Sequence, residues 1–186
     1  PAITYAMRGL VYFDIKLHGP NRDLHSGVYG GTLANPATLL LRILAKLFGD
    51  DNRVTIPGFY DDVAPLDTVE AKRWSELGFT DEMFLNPVGA TAFGEAGFAT
   101  LERRWARPSC DVNGLYGGYM GEGGKTVIPT FAGAKVSFRL AAHQDPHRIA
   151  KDFRGWLMSH DVGGLRWASS EHGKAHPVAT PPASPA

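Results

Sequence analysis

A segment near the start of the chain alternates strictly between apolar and polar side chains. Within Gly9 to His18, the apolar side chains of Val11, Phe13, Ile15 and Leu17 alternate with the polar or amphipathic ones of Tyr12, Asp14, Lys16 and His18. Successive side chains of a strand point to opposite faces, so this period of two predicts a strand with one buried face. A sheet built from such strands needs a second layer to cover its apolar face.

Two later segments share one helix start signal and can supply that layer. Asn35 precedes Pro36, and Asp145 precedes Pro146; the first residue of each pair can cap a helix, and proline suits the first helical position. Apolar residues then recur at helical spacing, which predicts one helix that ends at Gly49 and a second helix after Asp145. The two apolar stripes consist of Leu40, Ile43, Leu44 and Leu47, and of Ile149, Phe153, Trp156 and Leu157.

Three further segments complete the predicted sheet. Residues 134–140 alternate clearly, Leu165 and Trp167 give a shorter alternation, and residues 110–115 give a weaker one. The resulting order is strand, helix, strand, strand, helix, strand. The sequence therefore predicts an α+β fold, a ferredoxin-like split βαββαβ sandwich with a four-stranded antiparallel sheet and both main helices on one face.

The segment from about residue 53 to residue 108 does not fit this frame. A connection of that length should carry structure of its own. Residues 68–77, 80–85 and 91–105 could each contain a short helix. We therefore expect a helical insertion in the sandwich.

The composition narrows the classes of function. Nineteen Lys and Arg residues balance nineteen Asp and Glu residues, so nothing indicates a charged footprint for nucleic acid or for an anionic membrane. No stretch approaches the ~18 apolar residues of a membrane helix. The single cysteine, Cys110, excludes an intrachain disulfide and suits a reducing compartment. We expect a cytoplasmic protein that binds neither nucleic acid nor membrane.

Two local patterns resemble known active-site motifs but fail on spacing. The Gly-Lys-Thr sequence that ends at Thr126 lacks the first glycine of a phosphate-binding loop, since Tyr119 occupies that position and no helix pattern follows. Asp23, His25 and Ser26 have the residue types of a hydrolytic triad, yet such close neighbours cannot ordinarily be arranged as nucleophile, base and orienting group. Neither nucleotide binding nor a serine triad is predicted.

The remaining histidines and the cysteine give no metal or nucleophile motif. Glu171, His172 and His176 resemble zinc ligands only superficially, because glycine and proline interrupt any common helical face. Cys110 lies in an apparent strand without a placed base, which favours a buried small hydrophobe. No role is assigned at this stage to His18, His143, His147 and His160.

Four motifs occur in one order along the chain and together resemble one known domain. Residues 23–31 read DLHSGVYGG, residues 123–129 read GGKTVIP, residues 137–140 read SFRL and residues 144–146 read QDP. In this order and spacing they resemble the lid, or dimerisation, domain of M20 metallopeptidases. Within that family the chain is most similar to the carnosinase-like dipeptidases, and the resemblance covers nearly its whole length.

The resemblance implies a ferredoxin-like lid that mediates homodimerisation and is inserted into a larger catalytic domain. Two divalent metals, zinc or manganese, would bind to that catalytic domain, so we expect no metal ligands in this chain and no hydrolysis of dipeptides by it alone. Residues 1–8 and 171–186 resemble the crossings into the catalytic domain, which leaves residues 9–170 as the lid. Pro1 and the Pro- and Ala-rich end of the chain also suggest a piece of a longer protein.

The resemblance also implies three site residues. His25 corresponds to the lid histidine that reaches the partner's metal site, where an imidazole can stabilise an oxyanion. Thr126 and Arg139 correspond to lid residues that contact substrate, and a guanidinium suits the free carboxylate of a short peptide. Without the resemblance, the residue types alone favour a loop histidine held by turn contacts for His25 and a solvated strand residue for Arg139.

One position departs from the family pattern, and one alternative function stays open. His143 stands where related sequences often have Asn. This departure leaves the helix cap at Asp145 intact but puts in doubt any polar role of position 143 itself. The alternative function is a stand-alone ferredoxin-like interaction or binding module without a parent enzyme. The missing metal ligands fit that alternative as well.

Overall fold

The structure, a computed structural model that describes residues 4–180, contains six α-helices and eight strands within that range. In chain order these elements are β1 (Ala6–Met7), β2 (Gly9–His18), β3 (Leu24–His25), α1 (Ser26–Tyr29), α2 (Pro36–Ala45), α3 (Thr68–Ser75), α4 (Asp81–Leu85), α5 (Thr100–Trp105), β4 (Ser109–Gly117), β5 (Val127–Ile128), β6 (Phe131–Leu140), α6 (Pro146–Met158), β7 (Arg166–Ala175) and β8 (Val178–Ala179), with a 3₁₀ turn at Asn86–Val88.

The four long strands form one antiparallel sheet in the order β4, β6, β2, β7. β2 and β6 occupy its centre, and their pairing runs from Gly9 opposite Leu140 to His18 opposite Phe131. The odd-numbered residues of β2 are buried and the even-numbered ones are half-buried, which confirms the predicted alternation. The α+β class and the four-stranded antiparallel sheet are thus confirmed.

Helices α2 and α6 pack against the same face of this sheet. Asn35 Oδ1 accepts hydrogen bonds from the first turn of α2, and Asp145 Oδ1 accepts one from the first turn of α6, as the start signals predict. The ring centroid of Phe153 in α6 lies 4.9 Å from the ring centroid of Phe13 and 5.0 Å from that of Phe138. Five apolar residues of the two central strands are fully buried in this layer: Val11, Phe13, Ile15, Val136 and Phe138.

Several boundaries differ from the expectations. Helix α2 ends at Ala45 and not at Gly49, because Lys46 and Leu47 bond to carbonyls three residues back and tighten the last turn. β6 begins at Phe131, three residues before the expected start, and β4 extends beyond the expected residues 110–115. β7 is the largest departure: it continues to Ala175, so the expected boundary at residue 170 lies inside a strand.

The insertion contains α3, α4 and α5, one short helix within each of the three predicted stretches, and in residues 91–105 the helix occupies the last six positions. A buried ion pair stabilises the insertion internally: Glu95 accepts hydrogen bonds from Arg107 at 2.8 and 2.6 Å, and its side chain is 4% exposed. Arg148 of α6 adds contacts to Asp61 at 2.5 Å and Asp62 at 2.9 Å. The insertion is therefore packed on the domain at several points.

The two ends of the described chain lie side by side. β1 and β8 pair antiparallel, with Ala6 opposite Ala179 and Met7 opposite Val178. Thr180 N also donates to Tyr5 O at 2.8 Å. Residues 1–3 and 181–186, which belong to the expected crossings, are outside the described residues. No helix between residues 4 and 180 has the length and apolar character that crossing a membrane requires.

Candidate functional site

His25 and Thr126 meet at an exposed edge of the molecule although 101 residues separate them. β3 pairs with β5, which places His25 opposite Val127, and Ser26 N donates to Thr126 O at 3.1 Å. The side chains are also in contact, with His25 Nε2 3.1 Å from Thr126 Oγ1. Ile128 of the same strand is buried and anchors the pair, while both site residues stay exposed.

The hydrogen bonds of His25 determine which ring nitrogen carries the proton. Gly27 N donates to His25 Nδ1 at 3.0 Å, so Nδ1 is an acceptor and the neutral imidazole is protonated on Nε2. Nε2 therefore donates to Thr126 Oγ1 and faces the exposed side. Gly27 permits this contact, because a Cβ there would lie 2.8 Å from His25 Cε1. The arrangement presents one oriented N–H donor at the surface.

Asp23, the first residue of the same motif, has a structural contact. Its Oδ1 accepts a hydrogen bond from Thr130 N at 3.0 Å, and Thr130 O accepts one from Gly19 N at 2.7 Å. These bonds fix the segment that carries Thr126 to the segment that carries His25. The motif thus positions the pair, and the carboxylate of Asp23 bonds to backbone rather than to the imidazole.

Arg139 lies at the opposite end of the sheet from this pair. It is exposed on β6, opposite Leu10 of β2, on the face away from the helices. His25 lies beyond the other end of β6, where Phe131 begins the strand. The eight residue-to-residue steps from Phe131 to Arg139 span roughly 26 Å at ~3.3 Å per step. The structure therefore joins two of the three predicted site residues and separates the third.

A second guanidinium lies near Arg139. Burial, together with the charge of Arg139, lowers the pKa of Arg8, while the charge of Asp111 opposes that shift. The Arg8 side chain donates to the carbonyl oxygens of Arg103 and Arg107, each at 3.4 Å, at the end of α5. This end of the sheet is electropositive and suits an anionic group.

The polar face between these two ends holds a network that is structural. Lys135 Nζ lies 2.9 Å from Asp14 Oδ2, and the Tyr116 hydroxyl donates to the same carboxylate. Burial alone would raise the pKa of Asp14, but the hydrogen bonds from Tyr116 and Lys135 and the lysine charge hold it below its ordinary value. The Tyr116 ring covers Gly133, where a Cβ would lie 2.2 Å from a ring atom.

Two rejected motifs are accounted for by their positions. Thr126 leads into β5 and not into a helix, so the phosphate-loop geometry is absent from this segment. Cys110 is buried against the sheet, and burial, with the charge of Asp111, raises the pKa of its thiol. A protonated, buried thiol is a poor nucleophile, in agreement with the predicted role as a small hydrophobe.

A histidine cluster escaped the sequence analysis. Asp145, His147 and His176 each present a ligand atom, and these atoms lie within 4.8 Å of one another. No fixed spacing reveals the cluster, because the third residue comes from the link between β7 and β8. Across residues 4–180, this is the one group of three or more His, Cys, Asp or Glu side chains close enough to hold an ion.

A cavity of about 520 Å³ lies between the insertion and the paired strands β1 and β8. Arg8, Trp74, Trp105 and His143 are among its lining residues. His143 has a backbone φ of 72°, in the left-handed region that favours Asn and Gly over His. This geometry gives a backbone reason for the Asn that the family pattern has at this position.

The sequence profile of the M20 peptidase dimerisation domain matches residues 5–164. The chain belongs to this family. It is 36% identical to the Cys-Gly metallodipeptidase dug1 of Schizosaccharomyces pombe over 152 residues, which is 81% of this chain and 32% of that protein. It is 32% identical to the human Beta-Ala-His dipeptidase, over 81% of this chain and 30% of that protein. The chain thus spans about a third of the length of these relatives.

Solved structures of the family share the fold. Human carnosine dipeptidase 1 superposes with a TM-score of 0.84 at 30% identity, over 97% of this chain and 39% of that one. The M20 metallo-carboxypeptidase Sso-CP2 of Sulfolobus solfataricus gives a TM-score of 0.85 at 31% identity, over 99% and 47% of the two chains. Both comparisons extend through the insertion, so it is part of the shared architecture.

Proposed function

We propose that this domain is the lid of a metal-dependent dipeptidase and contributes residues to active sites formed across a homodimer. The observation that carries the proposal is the division of the site residues: His25 and Thr126 form an exposed hydrogen-bonded pair at one end, and Arg139 lies at the other. The similarity to dipeptidases from yeast and human supports the substrate class.

The distances favour a site shared between two chains. A dipeptide spans roughly 7 Å when extended, whereas Arg139 is about 26 Å along β6 from the end near His25. One dipeptide can therefore contact both residues only if they come from different chains. In this arrangement Arg139 binds the substrate with its own catalytic domain, and His25 and Thr126 reach the partner's site.

Each residue has chemistry that suits its proposed role. His25 has a single N–H, on Nε2, which donates to Thr126 Oγ1 in the free domain and redirects its hydrogen bond to the carbonyl oxygen of the scissile bond as negative charge develops there. The Thr126 hydroxyl donates its own proton to substrate. Arg139 forms paired hydrogen bonds with the free carboxylate of the dipeptide, and Arg8 adds positive potential beside it.

The two divalent ions implied by the family do not fit this chain. The trio formed by Asp145, His147 and His176 is exposed and too small to hold two ions. We infer that those ions bind to a catalytic domain outside this chain and that the chain alone is inactive. The strand order and the packing of both helices on one face support the ferredoxin-like class. A cytoplasmic location stays a prediction from composition.

The proposal is tested in the full-length enzyme by His25→Ala. Removing one oxyanion donor should lower kcat by about two to three orders of magnitude and leave folding and metal content unchanged. His172→Ala is the matched control, since His172 is an exposed histidine on β7 far along the chain from the pair. Unimpaired turnover in His25→Ala would refute the role assigned to His25, whereas the absence of a catalytic domain in the longer protein would favour the stand-alone interaction module.

Mixing chains tests the shared site separately. Chains with His25→Ala and chains disabled at a catalytic metal ligand should regain part of the activity together, because some heterodimers contain one intact composite site. Lack of recovery after confirmed subunit exchange would contradict the assignment of His25 to the partner's site.

A further inference from the structure

Three exposed ligand-bearing side chains meet where helix α6 begins and strand β7 ends. Asp145 caps α6, His147 lies in its first turn, and His176 lies in the link between β7 and β8. Their ligand atoms lie within 4.8 Å of one another, and the two imidazole ring centroids are 5.7 Å apart. The proposed function as a lid does not involve these three residues.

The cluster has the donor set that zinc prefers. Zinc binds imidazole nitrogen and carboxylate oxygen at about 2.0–2.2 Å, which places two ligand atoms of one ion roughly 3.3 Å apart. The present separations are at most 4.8 Å, so side-chain rotation needs to close them by no more than about 1.5 Å. All three side chains are exposed, so the two imidazoles have room to rotate toward the Asp145 carboxylate. A cavity of about 270 Å³ borders Asp145 and His176 and leaves room for water ligands that complete the coordination.

Asp145 can cap the helix and bind an ion at the same time. Its Oδ1 accepts the hydrogen bond from His147 N at 2.9 Å. The second carboxylate oxygen is then available for an ion without loss of the cap. The cap also fixes the direction of the carboxylate, so part of the site is already ordered before an ion binds.

Lys174 is the group that opposes an ion here. Its Nζ lies 3.2 Å from His147 Nδ1 and 2.8 Å from Glu171 Oε1. A neutral imidazole has one unprotonated nitrogen, so His147 cannot accept from Lys174 and coordinate an ion together. Glu171 partly compensates the lysine charge and can retain the ammonium when it leaves His147.

We propose that Asp145, His147 and His176 form a binding site for one divalent transition-metal ion of the zinc class. The bound ion fastens the link between β7 and β8 to the start of α6. This link leads to the paired strands β1 and β8, so the ion stiffens the base of the domain. The site needs neither a dipeptide nor a partner chain.

The test is a zinc titration of the 186-residue chain, freed of metal with a chelator, by isothermal calorimetry. We expect one ion per chain, and His147→Ala and His176→Ala should each weaken binding about ten-fold or more. His172→Ala is the control, because this exposed histidine of β7 lies outside the cluster. Lys174→Met should strengthen binding by up to about five-fold, since the competing ammonium is gone.

Two readouts do not depend on how the variants fold. Cobalt bound to the unsubstituted chain should give the visible absorption of a tetrahedral site, and zinc should raise its melting temperature. Equal zinc affinity in the unsubstituted chain and both histidine variants would overturn the proposal, as would a loss in only one of them. Absence of the cobalt absorption would overturn it independently.

Discussion

The side-chain amide of Gln144 donates a hydrogen bond of 2.6 Å to the backbone oxygen of Phe59, which lies 85 residues earlier in the chain. Gln144 Oε1 also accepts from Ala141 N at 2.8 Å. The side chain is almost fully buried, so both polar ends are satisfied in the interior. One residue thus joins the start of the insertion to the turn between β6 and α6.

Gln144→Ala should lower the free energy of unfolding by about 2–3 kcal/mol, because it leaves a buried carbonyl and a buried N–H without partners. Urea denaturation of the chain measures the loss. Asn21→Ala is the control, since Asn21 is exposed and its replacement should change stability by less than about 0.5 kcal/mol. Equal losses in the two variants would show that the buried amide does not stabilise the fold.

Asp14 predicts a pH dependence of stability. Its pKa lies below the ordinary 3.8 in the folded state, so its contribution is complete above that ordinary value and is lost as the pH falls through the lowered pKa. The stability difference between the unsubstituted chain and Asp14→Asn should therefore be largest near pH 6 and narrow toward about pH 3. Denaturation curves at several pH values give this difference, and a constant difference would contradict the prediction.

His143 predicts a gain in stability. Its φ of 72° costs free energy in any residue with a Cβ, and Asn tolerates this region better than His does. His143→Asn should raise the free energy of unfolding by about 0.5–1 kcal/mol. His172→Asn is the comparison, because His172 lies in a strand and should gain nothing from the same change. A loss at position 143 would mean that the imidazole makes a stabilising contact in its cavity.

Strong local signals made much of the fold predictable. Alternation in β2 and β6 and proline-led capping at α2 and α6 each depend on residues close together in sequence, and the structure follows them closely. β7 is longer than its sequence pattern predicts because its last seven residues, from Ser169 to Ala175, include few apolar side chains. Its pairing with β2 includes a bulge near Tyr12 that also breaks the alternation.

The candidate site depended on a different kind of information. Nothing in local spacing predicts that His25 and Thr126 share a hydrogen bond, since only the pairing of β3 with β5 brings them together. The resemblance to M20 lids supplied these residues. The trio of Asp145, His147 and His176 had no such guide, because a link between two strands delivers its third member.

The pairing of β1 with β8 has a consequence for any longer polypeptide that contains this domain. Met7 and Val178 are neighbours in space although most of the chain lies between them. A surrounding polypeptide therefore enters and leaves the domain at nearly the same point, as it would at the turn of a hairpin. The inserted domain adds little to the distance between the two residues of a host fold that it connects. Closing so long a loop costs conformational entropy, and the packing of the domain's own core compensates this cost. A host can thus gain or lose such a unit without redesign of its own packing.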